Sequence, residues 1–366
     1  LAMGFGRCKS DPCLYILKRE VRVLLLLVYV DDILAASSHE EPFREILAGL
    51  RREYDVTESG DVSWLLGWHA AQFDSGLFVS QLSFTLSLLR KFGMECAKPV
   101  ATPGAVSPSG AISQSSPRSK SSVPSVFASS PSSDVVEFTP TKYREVVGSL
   151  LFLTNCTRPD IAFATNVACR AMSSPSEDDW IAVKRILRYL AGTPALGLWF
   201  KKTSSESSSM PFLHCFSDSD WAGDVKGRKS TSGFACYVGG SLVSWGSRKQ
   251  SIVALSTMEA EYVALASAVR EMLSLRSLLS ELGFSSDGAV VYTDNTPAKF
   301  LAENHIVTQR SKHIDLRYHF LQDVHSRSLI KFEWVPSNQQ KADIFTKFLA
   351  REPFQRLRAC LVGEGA

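Results

Sequence analysis

Residues 217–265 read SDSDWAGDVKGRKSTSGFACYVGGSLVSWGSRKQSIVALSTMEAEYVAL. An acid, Asp218, closes the strand-like run LHCFSD. A loop punctuated by Gly223 and Gly227 leads to GFACYV, and Gly239–Gly240 then fits a hairpin turn into SLVSW. STMEAEYVALASAVREM follows with helical spacing, and Ser256 and Glu259 stand where a capping box would start it. Further along come the strand AVVYTD, helical text, the strand KFEWV and a last helix. Strand, turn, strand, strand, helix, strand, helix, helix, strand, helix is the order of a mixed sheet with helices packed against it.

Four acids stand out in this part: Asp218 after the first strand, Glu261 on the long helix, Asp294 after AVVYTD, and Asp343 near the start of the last helix. Two of them sit at the carboxyl ends of strands, where ligands bind in α/β sheets. Four carboxylates brought together would need cations to neutralise them. Carboxylate and water oxygens are the hard ligands that Mg²⁺ and Mn²⁺ prefer. Two such ions about 3.5–4 Å apart suit hydrolysis of a phosphodiester. Taken singly, each acid also has an ordinary reading, because an Asp after a strand is a common turn residue and a Glu on a helix is commonly solvated. Periodicity leaves open whether they converge.

The remainder frames this region. The chain has 366 residues, a formal charge of +3, 45% hydrophobic and 21% charged residues. That length allows two or three domains, and the charge neither demands nor excludes a nucleic-acid partner. Eight cysteines without CxxC spacing argue against a zinc site or a secreted disulfide framework, and for a reducing compartment. LLLLVYVDDILAA at 24–36 is too short to cross a bilayer and suits a buried strand that ends at two adjacent acids, Asp31 and Asp32. Tyr15–Leu17 and Val21–Val30 form a hairpin on this reading, followed by a helix around Glu41–Arg52, more strand, and a helix over Gln81–Phe92. Residues 100–138, rich in Ser and Pro, read as a disordered linker. TRPD at 157–160 reads as a helix start with Thr157 as its cap.

Several of these motifs together resemble one family. The stretch at 217–265, VYTDN at 291–295, RSKHIDLRYHF at 310–320 and ADIFTKFL at 342–349 resemble the ribonuclease H domain of Ty1/copia-type retrotransposon Pol polyproteins. YREVVGSLLFLTNCTRPDIAFATN and KRILRYLAGT resemble its connection segment, and YVDDILAA resembles the catalytic hairpin of its reverse transcriptase. The resemblance implies a ribonuclease H-like mixed sheet with flanking helices, preceded by a partial reverse transcriptase palm/thumb remnant. The implied division is 1–99 for that remnant, 100–138 for the linker, 139–210 for a helical connection, 211–350 for the ribonuclease H-like domain and 351–366 for a tail.

The resemblance carries specific roles. Asp218, Glu261, Asp294 and Asp343 become the acids holding two Mg²⁺ ions, with Mn²⁺ as the alternative, and Asp220 a supporting neighbour. Asp31 and Asp32 become metal ligands on a palm turn. The histidine-bearing loop of many cellular relatives is not recognisable in PSNQQKAD. The implied activity is endonucleolytic cutting of the RNA strand of an RNA–DNA hybrid. Arg228, Lys229, Arg248, Lys249, Arg310, Lys312 and Arg317 are candidates for gripping its backbone, with ordinary solvated surface as the competing reading. A polymerase needs a further aspartate and fingers, so RNA-directed DNA synthesis is expected only alongside an upstream reverse transcriptase segment as partner. The other alternative is an inactive, nucleic-acid-binding retroelement fossil. No membrane partner is expected. The family's habit implies a cytoplasmic location, in virus-like particles, without secretion.

Overall fold

The computed structural model describes residues 3–19, 22–106, 137–202, 210–304 and 315–365. The first strands are β1 (Gly6–Arg7), β2 (Leu14–Arg19), β3 (Arg22–Tyr29) and β4 (Asp32–Ser37). They form an antiparallel meander in that order. Alternation along β3 buries Leu24 and Leu26 against Phe5, Leu17 and Ile46, the last from α1 (Glu40–Glu53). This core is small. The run that looked wholly buried in the sequence is buried on one face only, because α1 covers one side of the meander.

A second sheet joins distant parts of the chain. β5 (Trp64–Leu65), β6 (Trp68–Phe73) and β7 (Gly76–Ser80) precede α2 (Leu82–Lys91). The helices α3 (Pro140–Cys156), α4 (Ala162–Cys169) and α5 (Glu177–Ala191) come next, then β8 (Leu196–Lys201). β7 pairs antiparallel with β8, Phe78 opposite Trp199, so backbone hydrogen bonds cross the division drawn at residue 99. The beginning of the stretch at 100–138 is also packed: Thr102, Pro103 and Gly104 are buried, and Arg185 Nη2 donates to the Thr102 hydroxyl at 3.0 Å. Residues 107–136 of that stretch lie outside the described residues.

The third sheet contains β9 (Leu213–Asp220), β10 (Thr231–Val238), β11 (Ser241–Lys249), β12 (Val290–Thr293) and β13 (Lys331–Trp334). Interleaved are α6 (Thr257–Leu282), α7 (Thr296–Glu303) and α8 (Asp315–Ser326), and the chain closes with α9 (Arg351–Ala359) and β14 (Gly363–Glu364). The strand order is β11-β10-β9-β12-β13. The first three are antiparallel, whereas β12 runs parallel to both β9 and β13. This is the expected ribonuclease H-like mixed sheet. Gly239 and Gly240 both have positive φ, 56° and 79°, as the β10–β11 hairpin turn requires. One sheet face packs Cys215, Phe234 and Cys236 on α6–α8, and the other packs Phe216, Ala235 and Tyr237 on α3–α5 and α9. β14 adds to β8, and Phe354, Leu357, Leu361 and Val362 enter the larger core, so the terminal stretch is structural.

TRPD departs from its sequence reading. Thr157 ends α3 as its C-cap instead of starting a helix, and Pro159–Ile161 is a single 3₁₀ turn. Arg158 and Asp160 are buried and paired by two hydrogen bonds, Nε to Oδ1 at 2.9 Å and Nη2 to Oδ2 at 2.8 Å. Arg158 Nη1 also donates to the Thr193 carbonyl, and the Tyr189 hydroxyl donates to Asp160 Oδ2. Asp160 serves this buried pair because a guanidinium in the core needs a carboxylate more than a helix start needs an acid.

Candidate active site

β9 and β12 are neighbours and parallel, and the chain leaves β9 for β10 on one side but reaches β12 by way of α6 on the other. Such a switch point opens a crevice beyond the carboxyl ends of the strands. Tyr292 pairs with Phe216, and two further places along both strands bring Asp294 level with Asp218. α6 lies across β9 and β10, and its first turns bring Glu261 over the same crevice. Ser256 accepts from the Glu259 N–H and so caps α6, while the Glu259 carboxylate accepts from the Leu255 N–H, closing the entry turn.

One ligand oxygen from each of Asp218, Glu261 and Asp294 lies within 4.8 Å of the others. Asp218 is 3% exposed and Glu261 6%. Glu261 Oε1 accepts from the Ser219 N–H at 3.0 Å, and its Oε2 has no hydrogen-bond partner. Burial, then the charges of Asp218 and Asp294, push the Glu261 carboxyl well above its ordinary range. Asp294 Oδ2 accepts from the Ser337 hydroxyl, and Asp218 Oδ2 from the Thr346 hydroxyl.

Asp343 is placed differently from the other three. It lies in a 3₁₀ turn, Lys341–Phe345, not at the start of an α-helix. Lys347 Nζ stands 2.8 Å from Asp343 Oδ1 and 3.8 Å from Asp218 Oδ2. Burial and Asp218 raise the Asp343 carboxyl to about 7 despite Lys347. Burial works against the Lys347 charge, but Asp218 and Asp343 outweigh it and raise its pKa. Asp220 is also raised, to about 6, by burial and then by Asp218.

The sequence reading missed Lys347, Thr346 and Ser337. Lys347 carried one usable signal, its i, i+4 spacing from Asp343. Ser337 and Gln340 lie in PSNQQ, and Gln340 is buried and donates to the Ser217 carbonyl, fixing that loop against β9. Among the basic candidates, Arg248, Lys249 and Arg317 line one cleft with Arg270, beside α6. Lys249 also pairs with Asp224 at 2.5 Å. Arg228 is exposed, and Lys229 lies beside it on the β9–β10 loop. Arg310 and Lys312 fall outside the described residues. Asp31 and Asp32 lie at the exposed β3–β4 turn and, among the described residues, join no acidic cluster of three.

The three clustered acids offer an all-oxygen donor set that fits a hard divalent cation. The unpartnered Glu261 Oε2 is the observation that speaks for one, since a buried carboxylate oxygen without a donor is costly to maintain.

The chain is similar to several known proteins. A family described as reverse transcriptase (RNA-dependent DNA polymerase) matches residues 2–106. The chain is 39% identical over 356 residues to the retrovirus-related Pol polyprotein from transposon RE2 of Arabidopsis thaliana, covering 97% of this chain but 23% of that polyprotein. It is 34% identical over 249 residues to the mitochondrial protein AtMg00810 of A. thaliana, covering 68% of this chain and 93% of that protein. The N-terminal ribonuclease H domain of rv2228c from Mycobacterium tuberculosis, solved as a fusion with maltose-binding protein, is 15% identical. That likeness covers 40% of this chain and 96% of that one, with a TM-score of 0.28. The sequence relatives, with the two motif-bearing regions found in the expected order, place the chain in the retrotransposon Pol polyprotein family, as a segment with a reverse transcriptase-related region followed by a ribonuclease H-like domain.

Proposed function

We propose that the chain cuts the RNA strand of RNA–DNA hybrids by metal-dependent hydrolysis, and that residues 211–350 carry the reaction. The observation that supports this best is the buried meeting of Asp218, Glu261 and Asp294 with a Glu261 oxygen left free. Bound there, Mg²⁺ or Mn²⁺ would supply Lewis-acid activation of water and charge neutralisation at the scissile phosphate. The protein's part is to hold three carboxylates rigidly at one point. The Ser219 N–H orients Glu261, the Ser337 hydroxyl orients Asp294, and the Thr346 hydroxyl orients Asp218. These partners are backbone or short side chains, so little reorganisation is needed when substrate arrives. Lys347 tempers the negative charge on the side of Asp343.

The hybrid backbone would be gripped by the cleft of Arg248, Lys249, Arg270 and Arg317, in a salt-dependent and sequence-tolerant way. RNA would be told from DNA by its 2′-hydroxyls and the groove shape they impose. The exposed Asp31–Asp32 turn favours a second reading, in which an upstream reverse transcriptase segment completes a polymerase site around it.

The test is cleavage by the full chain of a hybrid labelled on its RNA strand, in Mg²⁺ and in Mn²⁺, beside a DNA duplex and an Asp218→Asn variant. Hybrid-specific cutting that disappears in the variant is expected. Folded wild-type protein that leaves the hybrid intact in both metals would overturn the proposal, and binding without cutting would leave only a nucleic-acid-binding role.

A further inference from the structure

The resemblance brings an expectation of two ions held by Asp218, Glu261, Asp294 and Asp343. The geometry points to a different division of the charge: we infer that the nucleic-acid-free chain binds a single divalent cation at Asp218, Glu261 and Asp294, and that the Lys347 ammonium fills the place of a second. The inference rests on reading the acid cluster as a metal site, and the experiment below separates the two.

The two sides of Asp218 differ in what they lack. On the Glu261 and Asp294 side, three carboxylates face one another, the ion pair that reaches them is that of Lys347 with Asp218 at 3.8 Å, and Glu261 Oε2 is buried and unpartnered. That oxygen donor set calls for a hard cation. On the Asp343 side a cation is already present, since Lys347 Nζ bridges Asp343 and Asp218 at 2.8 and 3.8 Å. A second divalent ion bridging the same two carboxylates would have to displace the ammonium or stand within a few ångströms of it, against direct like-charge repulsion.

The ammonium is also held by what surrounds it. The next residue, Phe348, packs edge-on against Phe163 at 4.8 Å. It also lies over Gly104, where an added Cβ would fall 2.0 Å from the ring. Backbone bonds from Thr346 and Lys347 to the Asp343 carbonyl close the turn beneath it. Lys347 is therefore delivered to the carboxylates by a packed segment, although its side chain stays 45% exposed. That exposure also means its removal should leave the core intact.

The experiment counts Mn²⁺ bound to the full chain without nucleic acid, by electron paramagnetic resonance of the free ion and by calorimetry. The site's own ions are those lost on Asp218→Asn substitution. The wild type and Lys347→Arg are expected to bind one, and Lys347→Met two. Lys347→Gln gives the same reading if the methionine variant does not fold, as judged by circular dichroism. Two site-specific ions in the wild type, or one in the folded neutral variants, would overturn the role of Lys347 while leaving the metal site standing. No site-specific ion in any of these proteins would overturn both.

Discussion

The molecule carries two places where an apolar strand runs into paired acids, and they have opposite surroundings. In VYVDD the strand turns at once: Val30 has a positive φ of 52° and is 82% exposed, Tyr29 pairs with Asp32, and both aspartates face solvent. In CFSDSD the strand continues as the centre of a five-stranded sheet, with helices on both faces, and Asp218 is buried beside two other carboxylates. The local chemistry is the same. What differs is whether a later part of the chain is laid over the acids. α6 covers the second pair and brings Glu261 with it, while nothing described covers the first. Water neutralises an exposed acid pair by solvation; a covered one needs a counter-charge.

That contrast can be broken or sharpened by substitution. The largest effect should come from Arg158→Met, because it removes the counter-charge of a buried acid that has one. Asp160 would be left buried and alone, and chemical denaturation should show a loss of about 3–5 kcal/mol. An unchanged unfolding midpoint would mean that burial alone costs these acids little. Next, Glu261→Gln keeps the shape and the bond from Ser219 but loses the charge. Hybrid cleavage should fall about 10²–10³-fold, while thermal unfolding in EDTA should show no loss of stability. A variant that cuts normally would remove Glu261 from the site.

A third test uses pH on the same strand. His214 is buried, its Nδ1 lies 2.8 Å from the Pro211 carbonyl, and burial lowers its pKa to about 4. Its folded pKa lies below the ordinary value near 6.5, so the unfolded chain takes up the proton first. The contribution is present above pH 6.5 and is lost as pH falls toward 4, amounting to about 3 kcal/mol at most. The carboxyls raised around Asp218 gain stability as pH falls and do so in both proteins, so the readout is the difference: across that window the wild-type denaturation midpoint should fall relative to that of His214→Gln. The smallest effect belongs to the exposed turn, where Asp31→Asn and Asp32→Asn should each leave stability within about 0.5 kcal/mol and hybrid cleavage unchanged. A large loss of cleavage in either would tie the hairpin to the nuclease site.

Much of this was legible in the residues. The β10–β11 hairpin announced itself through Gly239–Gly240, α6 through its spacing and its Ser256 cap, and the sheet through the order of its elements. The acids of the candidate site were all nameable. The misreadings share one cause. TRPD looked like a helix start because Thr, Pro and Asp favour that position locally, yet Asp160 answers to an arginine packed among distant side chains. Residues 100–106 were grouped with the Ser/Pro run after them, but Gly104 fits under a ring that is 244 positions away.

The sequence by itself determined the periods of the strands and helices, the turn chemistry, the identity of the acids and the family. These are properties of neighbouring residues, whose backbone preferences and side-chain spacing act over a few positions. Only the tertiary structure decided that three acids meet while the fourth is taken by Lys347, that β7 finds β8 across the linker, and that Asp31 and Asp32 stay in water. Those outcomes depend on strand register, on which helix crosses which strand, and on where water is excluded, and each of these is settled between segments far apart in the chain.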